Sequence, residues 1–187
     1  LNPPVILTEH LQLRLPEIDD IPEILRYFRE NEAHLAPYDP KKPDDFYTNE
    51  FWQKRVQLHR DACESASALR LYLFHRGGAS EVIGSLELSQ IARGPFQACY
   101  LGYGIAARHQ GKGLMYEAVR SVIGYAFGEL NLHRIMANHL PENTRSEALL
   151  RRLGFVRECV AKEYLLIGGT WRDHILNSLT NRDWKSV

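Results

Sequence analysis

A chain of 187 residues, 44% hydrophobic and 25% charged, has the composition of one ordinary globular domain and not of a disordered chain. Lys plus Arg and Asp plus Glu number 23 each, so formal net charge is zero and a general electrostatic grip on DNA is not expected. No apolar run approaches the roughly 20 residues that span a bilayer. The opening Leu1-Asn2-Pro3-Pro4 lacks the basic-then-apolar pattern of a signal peptide, so a cytoplasmic protein without a membrane partner is expected.

Leu11-Gln12-Leu13-Arg14-Leu15 alternates with period two and predicts a strand. Asp19 or Asp20 is placed to cap a helix with Pro22 in its first turn, and Ile21, Ile24, Leu25 and Phe28 share one face of it. Residues 36–45 hold three prolines and read as a loop. A helix is expected at about 47–64 with Phe51, Trp52 and Val56 inward. Strands follow at Leu69–His75 and Val82–Leu88 around Gly77-Gly78, then a turn at Arg93-Gly94-Pro95. Ala98–Ile105 reads as a strand whose interior Gly102 and Gly104 suggest a bulge or a ligand's close approach. Met115, Ala118, Val119, Val122, Ile123 and Ala126 give the helix that begins near Lys112 an apolar face.

His133–Leu140 is a further strand, and Asn143 or Thr144 can cap a helix carrying Ala148, Leu149 and Leu153 up to Gly154. Two closing strands, about 160–167 and 171–180, meet at a Gly168-Gly169 hairpin. This order predicts a mixed α/β fold with an antiparallel start, in one domain over 1–187. Charge is uneven along it. Residues 1–64 hold 8 basic and 13 acidic side chains, the remainder 15 and 10. Solvated faces are the ordinary meaning; the functional one is an anionic ligand on the later part and a cationic one near the earlier part.

Chemistry concentrates in Arg108-His109-Gln110-Gly111-Lys112-Gly113, between a strand and a strongly amphipathic helix. The helix's first N–H groups and dipole face this turn, and its glycines allow close approach, so the segment can wrap a pyrophosphate. A ligand-free glycine turn is the alternative. The dinucleotide fingerprint fails, because Gly102 and Gly104 lie inside the strand. The nucleotide-hydrolase loop fails because Ala106 and Gly113 occupy its Gly and Ser/Thr positions. Eight histidines lack any metal-ligand spacing and no Gly-x-Ser-x-Gly elbow occurs, so neither a metal site nor a serine hydrolase is expected. Cys63, Cys99 and Cys159 form no CxxC pair and read as free thiols.

Arg108-x-x-Gly111-x-Gly113, Asn143-x-x-Ser146 and Leu153-Gly154-Phe155 together resemble the GCN5-related N-acetyltransferases. Ala98–Gly104, Gln110–Met115, His133–Asn138 and Tyr164–His174 are similar to the branch of that family that acetylates the N-terminal alanine of a small-subunit ribosomal protein. The resemblance implies an αβα sandwich around a mixed, largely antiparallel sheet, with a bulged strand before the pyrophosphate loop. It implies acetyl-CoA as cosubstrate, a ribosomal protein N-terminus and the small ribosomal subunit as partners, and a monomer or homodimer. Backbone groups of Tyr103, Gly104 and Ile105 would receive the pantetheine arm, and amides of Arg108, His109, Gln110, Gly111, Lys112, Gly113 and Leu114 the pyrophosphate. Asn143 matches the Asn that bonds the pantetheine arm, and Ser146 the hydroxyl near the CoA sulfur.

Acetyl transfer to an α-amine needs a neutral nucleophile, a proton acceptor and donors for the oxyanion. With a reference pKa near 8, roughly a tenth of an α-amine is neutral at pH 7, so one carboxylate suffices. Glu163 is the expected base and Glu87 its rival. Tyr100 and Tyr103 flank the glycine-bearing strand segment as candidate walls of the acceptor channel. Acidic residues of loop 36–45, among them Asp39, Asp44 and Asp45, are expected to attract a cationic protein end. Two alternatives remain open: the same chemistry on a polyamine or aminoglycoside, and a ribosome-binding or assembly module that keeps the fold.

Overall fold

The computed structural model describes residues 3–78 and 80–186; Leu1 and Asn2 of the N-terminal stretch lie outside them. Strands β1 (Ile6–Leu7) and β2 (Leu11–Arg14) open the chain, followed by helices α1 (Ile21–Glu30), α2 (Glu32–Leu35) and α3 (Asn49–Glu64). Strands β3 (Leu69–His75), β4 (Gly84–Ala92) and β5 (Ala98–Ile105) lead to α4 (Leu114–Gly128), β6 (Arg134–His139) and α5 (Thr144–Arg152). The hairpin β7 (Val156–Ile167) and β8 (Thr170–Thr180) closes the fold. Eight strands form one sheet in the order β1-β2-β3-β4-β5-β6-β8-β7, antiparallel everywhere except between β5 and β6.

Both faces of the sheet centre are covered, which is why β3 is buried at consecutive positions instead of alternating. Leu71 and Leu73 belong to one core with Ala118, Val119, Val122 and Ala126 of α4. Tyr72 and Phe74 point the other way, into a second core with Ile21 and Ile24 of α1 and Trp52 and Val56 of α3. The result is an αβα sandwich. The fully buried valines of α4 contribute roughly 1.5–3 kcal/mol each by leaving water.

Several local expectations are corrected. Asp20 does not cap α1 with its side chain; its carboxylate takes Arg14 Nη1 at 2.6 Å and Nη2 at 2.7 Å and the Glu17 amide at 2.7 Å. Ala148 is exposed, and Leu150 is the α5 residue that reaches the core. The glycines of β5 stay in regular register with β4, Ser85 opposite Gly104 and Glu87 opposite Gly102. The irregularity of that strand pair falls between Ser89 and Ala92, where Gln90 takes a φ of 50°.

What opens the sheet is a separation. β5 pairs with β6 only at Ala98–Tyr100 against Arg134–Met136. From Leu101 onward the two strands diverge, so the alternate β5 amides on that side lack a strand partner.

Candidate active site

One cleft of about 1260 Å³ runs through this separation and joins the two faces of the sheet. On the α4 side it is bounded by the glycine loop and by Asn143, Arg145 and Ser146; on the other side by Trp52, His59, Arg70 and Glu87. Tyr103, Gly104 and Asn138 line the passage between.

The loop geometry follows from its sequence. Gly111 and Gly113 have φ of +72° and +80°, left-handed values that a side chain would strain. Gly113 is the residue before α4, so the first free amides of that helix open into the loop. A Cβ on either glycine would meet nothing within 4 Å, so the turn has an open concave surface. Both sides of the loop are anchored. Ala107 N–H donates to Asn31 Oδ1 at 2.9 Å, and Gln110 Nε2 lies 2.9 Å from His34 Nε2. From α5, Arg145 Nη1 donates to Gln110 Oε1 at 2.5 Å. Arg108 is paired with Glu81, and His109 Nε2 lies 3.5 Å from the same carboxylate. These anchors, open amides and the cationic Arg108 and Lys112 fit a pyrophosphate group.

Asn143 caps α5 by accepting the Ser146 N–H at 3.1 Å, which turns the first turn of α5 toward the cleft. There Ser146 Oγ lies 2.6 Å from Tyr103 Oη. Burial pushes the Tyr103 phenol up to about 12, partly offset by the Ser146 bond, so this hydroxyl pair keeps its protons at neutral pH. Tyr103 therefore carries a side-chain contact beyond its expected backbone position. The two residues lie 43 positions apart, and no spacing rule links them.

The carboxylates separate clearly. Glu87 stands on the cleft wall, opposite Arg70 across the β3–β4 ladder, with Arg70 Nη2 3.3 Å from its Oε2. Asp39 is the other carboxylate in the wall, and burial raises its pKa against the pull of Lys42, Arg70 and His34. Glu163 does not line the cleft. It sits exposed at the irregularity of β7 with φ +47°, its N–H donating to Asp173 Oδ1 at 2.9 Å. The side Glu163 takes is set by the β7–β8 register shift between Ala161 and Leu165, which residue spacing along the strand does not reveal.

Arg70, Ser85 and His59 were not singled out by sequence. Cross-strand parity offers one signal, an arginine and a glutamate directly opposed on neighbouring strands. The β7–β8 hairpin closes over the cleft edge, Gly168 N–H donating to Asp39 O at 3.1 Å. No group of His, Cys, Asp and Glu able to hold a metal exists among the described residues.

Residues 10–156 match the family model for the acetyltransferase (GNAT) domain. The chain is 42% identical over 179 residues to the [ribosomal protein uS5]-alanine N-acetyltransferase of Escherichia coli strain K12, covering 96% of this chain and 92% of that one. The crystal structure of a ribosomal-protein-S5-alanine acetyltransferase from Vibrio fischeri superposes with a TM-score of 0.92 at 40% identity, over 98% of this chain and 100% of that one. RimJ of Mycobacterium smegmatis, solved in complex with CoA-disulfide, superposes with a TM-score of 0.86 at 27% identity, over 94% of this chain and 84% of that one. Glycine loop, divided sheet and these likenesses agree: the chain belongs to the GNAT acetyltransferase family.

Proposed function

We propose that the chain is an Nα-acetyltransferase that moves acetyl from acetyl-CoA to the N-terminal alanine amine of a ribosomal protein of the uS5 type. The observation that carries the reading is the cleft through the β5–β6 separation, which joins an open phosphate loop to a carboxylate on the opposite side of the sheet. The 42% identity to the Escherichia coli enzyme supports the choice of acceptor. We place the protein in the cytoplasm, as one acetyltransferase domain whose sheet continues past residue 156 through β7 and β8.

Direct attack in a ternary complex suits this layout. Amides of Arg108 and Gly111–Leu114 hold the pyrophosphate, those of His109 and Gln110 being turned back to Ala106 O and Ala107 O at 2.9 and 3.2 Å, and the Tyr103–Ile105 backbone with Asn143 receives the pantetheine arm. The amine nitrogen forms its bond to the thioester carbonyl carbon while the carbon–sulfur bond breaks. Glu87, held by Arg70, takes the amine proton, directly or through water. The Tyr103–Ser146 hydroxyl pair supplies a proton to the departing sulfur. Free β5 amides beside the separation stabilise the oxyanion. Holding both substrates in one cleft replaces a bimolecular encounter with an oriented one.

An acceptor panel tests this reading by release of the CoA thiol. Ala-starting peptides, the same peptides with blocked N-termini, Ser-starting peptides, spermidine and an aminoglycoside are compared. Turnover confined to free Ala-starting peptides is expected. Turnover with spermidine or the aminoglycoside and none with peptides would overturn the acceptor assignment.

A further inference from the structure

The acceptor side of the cleft contains polar atoms that the fold leaves without partners. Neither ring nitrogen of His59, nor Nε of Arg70, has a hydrogen-bond partner among the described residues. His59 is 6% exposed and lines the cleft together with Arg70, Ser85 and Glu87. It shares the inward face of α3 with Trp52, Val56 and Cys63. Packing alone calls for an apolar residue at this position, because an unpartnered buried imidazole costs stability. Arg70 continues the pattern. Its Nη2 end is committed to Glu87, whereas its Nε–H is buried and without a partner among the described residues.

We propose that His59 and Arg70 bind the first peptide group of the acceptor chain and so select N-terminal peptides over small amines. The proposal rests on the Nα-acetyltransferase reading and extends it to a substrate subsite. The geometry fits the chemistry of a chain end. The first carbonyl is attached to the carbon that bears the α-amine. Arg70 touches Glu87, the proposed acceptor of the amine proton, and its unpartnered Nε–H is the donor left for that carbonyl oxygen. Burial, aided by Arg70 and Arg55, drives the His59 pKa down to about 3, so its ring is neutral at pH 7 with one N–H donor and one bare acceptor nitrogen. A peptide group offers the matching acceptor and donor. A polyamine offers N–H donors and positive charge only. It would leave the Arg70 Nε–H unsatisfied and would meet the charges of Arg55 and Arg70.

The test uses the intact protein, acetyl-CoA and an Ala-starting peptide. His59→Leu is expected to raise KM for the peptide about tenfold, the loss typical of hydrogen bonds in a desolvated site, with KM for acetyl-CoA unchanged. An ester analogue of the peptide, lacking the first amide N–H, is expected to bind the wild type several-fold more weakly. The same analogue is expected to lose nothing further in the variant. A variant that fails to fold would leave KM unread, so the ring nitrogens of His59 in 15N-histidine-labelled wild type provide a second readout. Their NMR signals are expected to shift when the peptide saturates the CoA complex. If wild type acetylates the peptide but the variant's peptide KM is unchanged, or the His59 signals stay in place, the subsite is wrong and the acetyltransferase reading stands. If wild type acetylates spermidine and no peptide, the reading itself fails and the subsite with it.

Discussion

Glu87 and Glu163 are chemically alike, yet the fold gives them different access to a substrate. Glu87 faces the cleft beside Arg70; Glu163 is turned outward on β7 with its amide held by Asp173. Glu87→Gln is expected to lower kcat by about 10²–10⁴, the range for loss of a general base. Glu163→Gln is expected to stay within a few-fold of wild type in the same steady-state assay, and the reverse ordering would return the role to Glu163. Ser146→Ala and Tyr103→Phe each remove one side of a single 2.6 Å hydrogen bond. Each is expected to reduce kcat roughly tenfold, and the double variant to be little worse than either single, because the pair acts as a unit.

His59 also sets a pH dependence of stability. Its pKa falls from the ordinary 6.5 to about 3 through burial, with Arg70 and Arg55 adding to the effect. Between those values the unfolded chain binds a proton that the folded chain refuses. The contribution is therefore complete above pH 6.5 and is lost as pH falls from 6.5 toward 3, at about 1.4 kcal/mol per pH unit. Thermal midpoints taken from pH 6.5 down to 5 should fall in wild type and fall less steeply in His59→Leu. Equal slopes would show that the ring is not held neutral.

At the scale of elements, the glycine loop can be separated from the helix it precedes. Gly113→Ala places a side chain at φ +80° with no clash, so its structural cost is limited to roughly 1–2 kcal/mol of backbone strain. Its methyl group, however, enters the open side of the turn. A drop of a few degrees in thermal midpoint with at least a tenfold rise in KM for acetyl-CoA is expected. Unchanged KM would remove the loop from the binding site.

Much at this scale was legible in the sequence. The bounds of β5 and the apolar face of α4 follow from period-two and helical spacing, and the Asn143 cap and the Gly168-Gly169 hairpin from residue type. Residue pairs brought together from distant positions were not legible. The glycines of β5 signalled an irregular strand, but the departure of β6 from β5 depends on how β6 pairs with β8 along its whole length. Spacing along α5 does not tell that Ala148 and Leu149 line a cleft while Leu150 reaches the core, because the cleft exists only after α5 docks.

For the whole molecule, the divided sheet opens one cleft to both of its faces. α4 and the glycine loop serve one side; α1, α3 and loop 36–45 serve the other. The acidic excess of residues 1–64 does not extend into the cleft, whose wall on that side sets Lys41, Lys42, Arg55 and Arg70 against Asp39 and Glu87; Asp44 and Asp45 are exposed on the loop outside it. Reversing Asp44 and Asp45 to Lys is expected to weaken binding of a cationic acceptor peptide several-fold at low salt and to have less effect at high salt, as screening requires. Equal affinity at low salt would exclude electrostatic attraction by the loop. The sandwich itself depends on the β3 leucines, so Leu71→Ala is expected to cost about 2–5 kcal/mol, read as a lowered thermal midpoint without selective loss of either substrate.

The central claim is that acetyl goes to the α-amine of an N-terminal alanine. Mass spectrometric fragmentation of unacetylated ribosomal protein uS5, after incubation with this protein and acetyl-CoA, tests it most directly. One acetyl group on the N-terminal alanine and none on lysine side chains is the expected result. Acetyl on lysines, or an unmodified uS5 under conditions in which spermidine is acetylated, would contradict it.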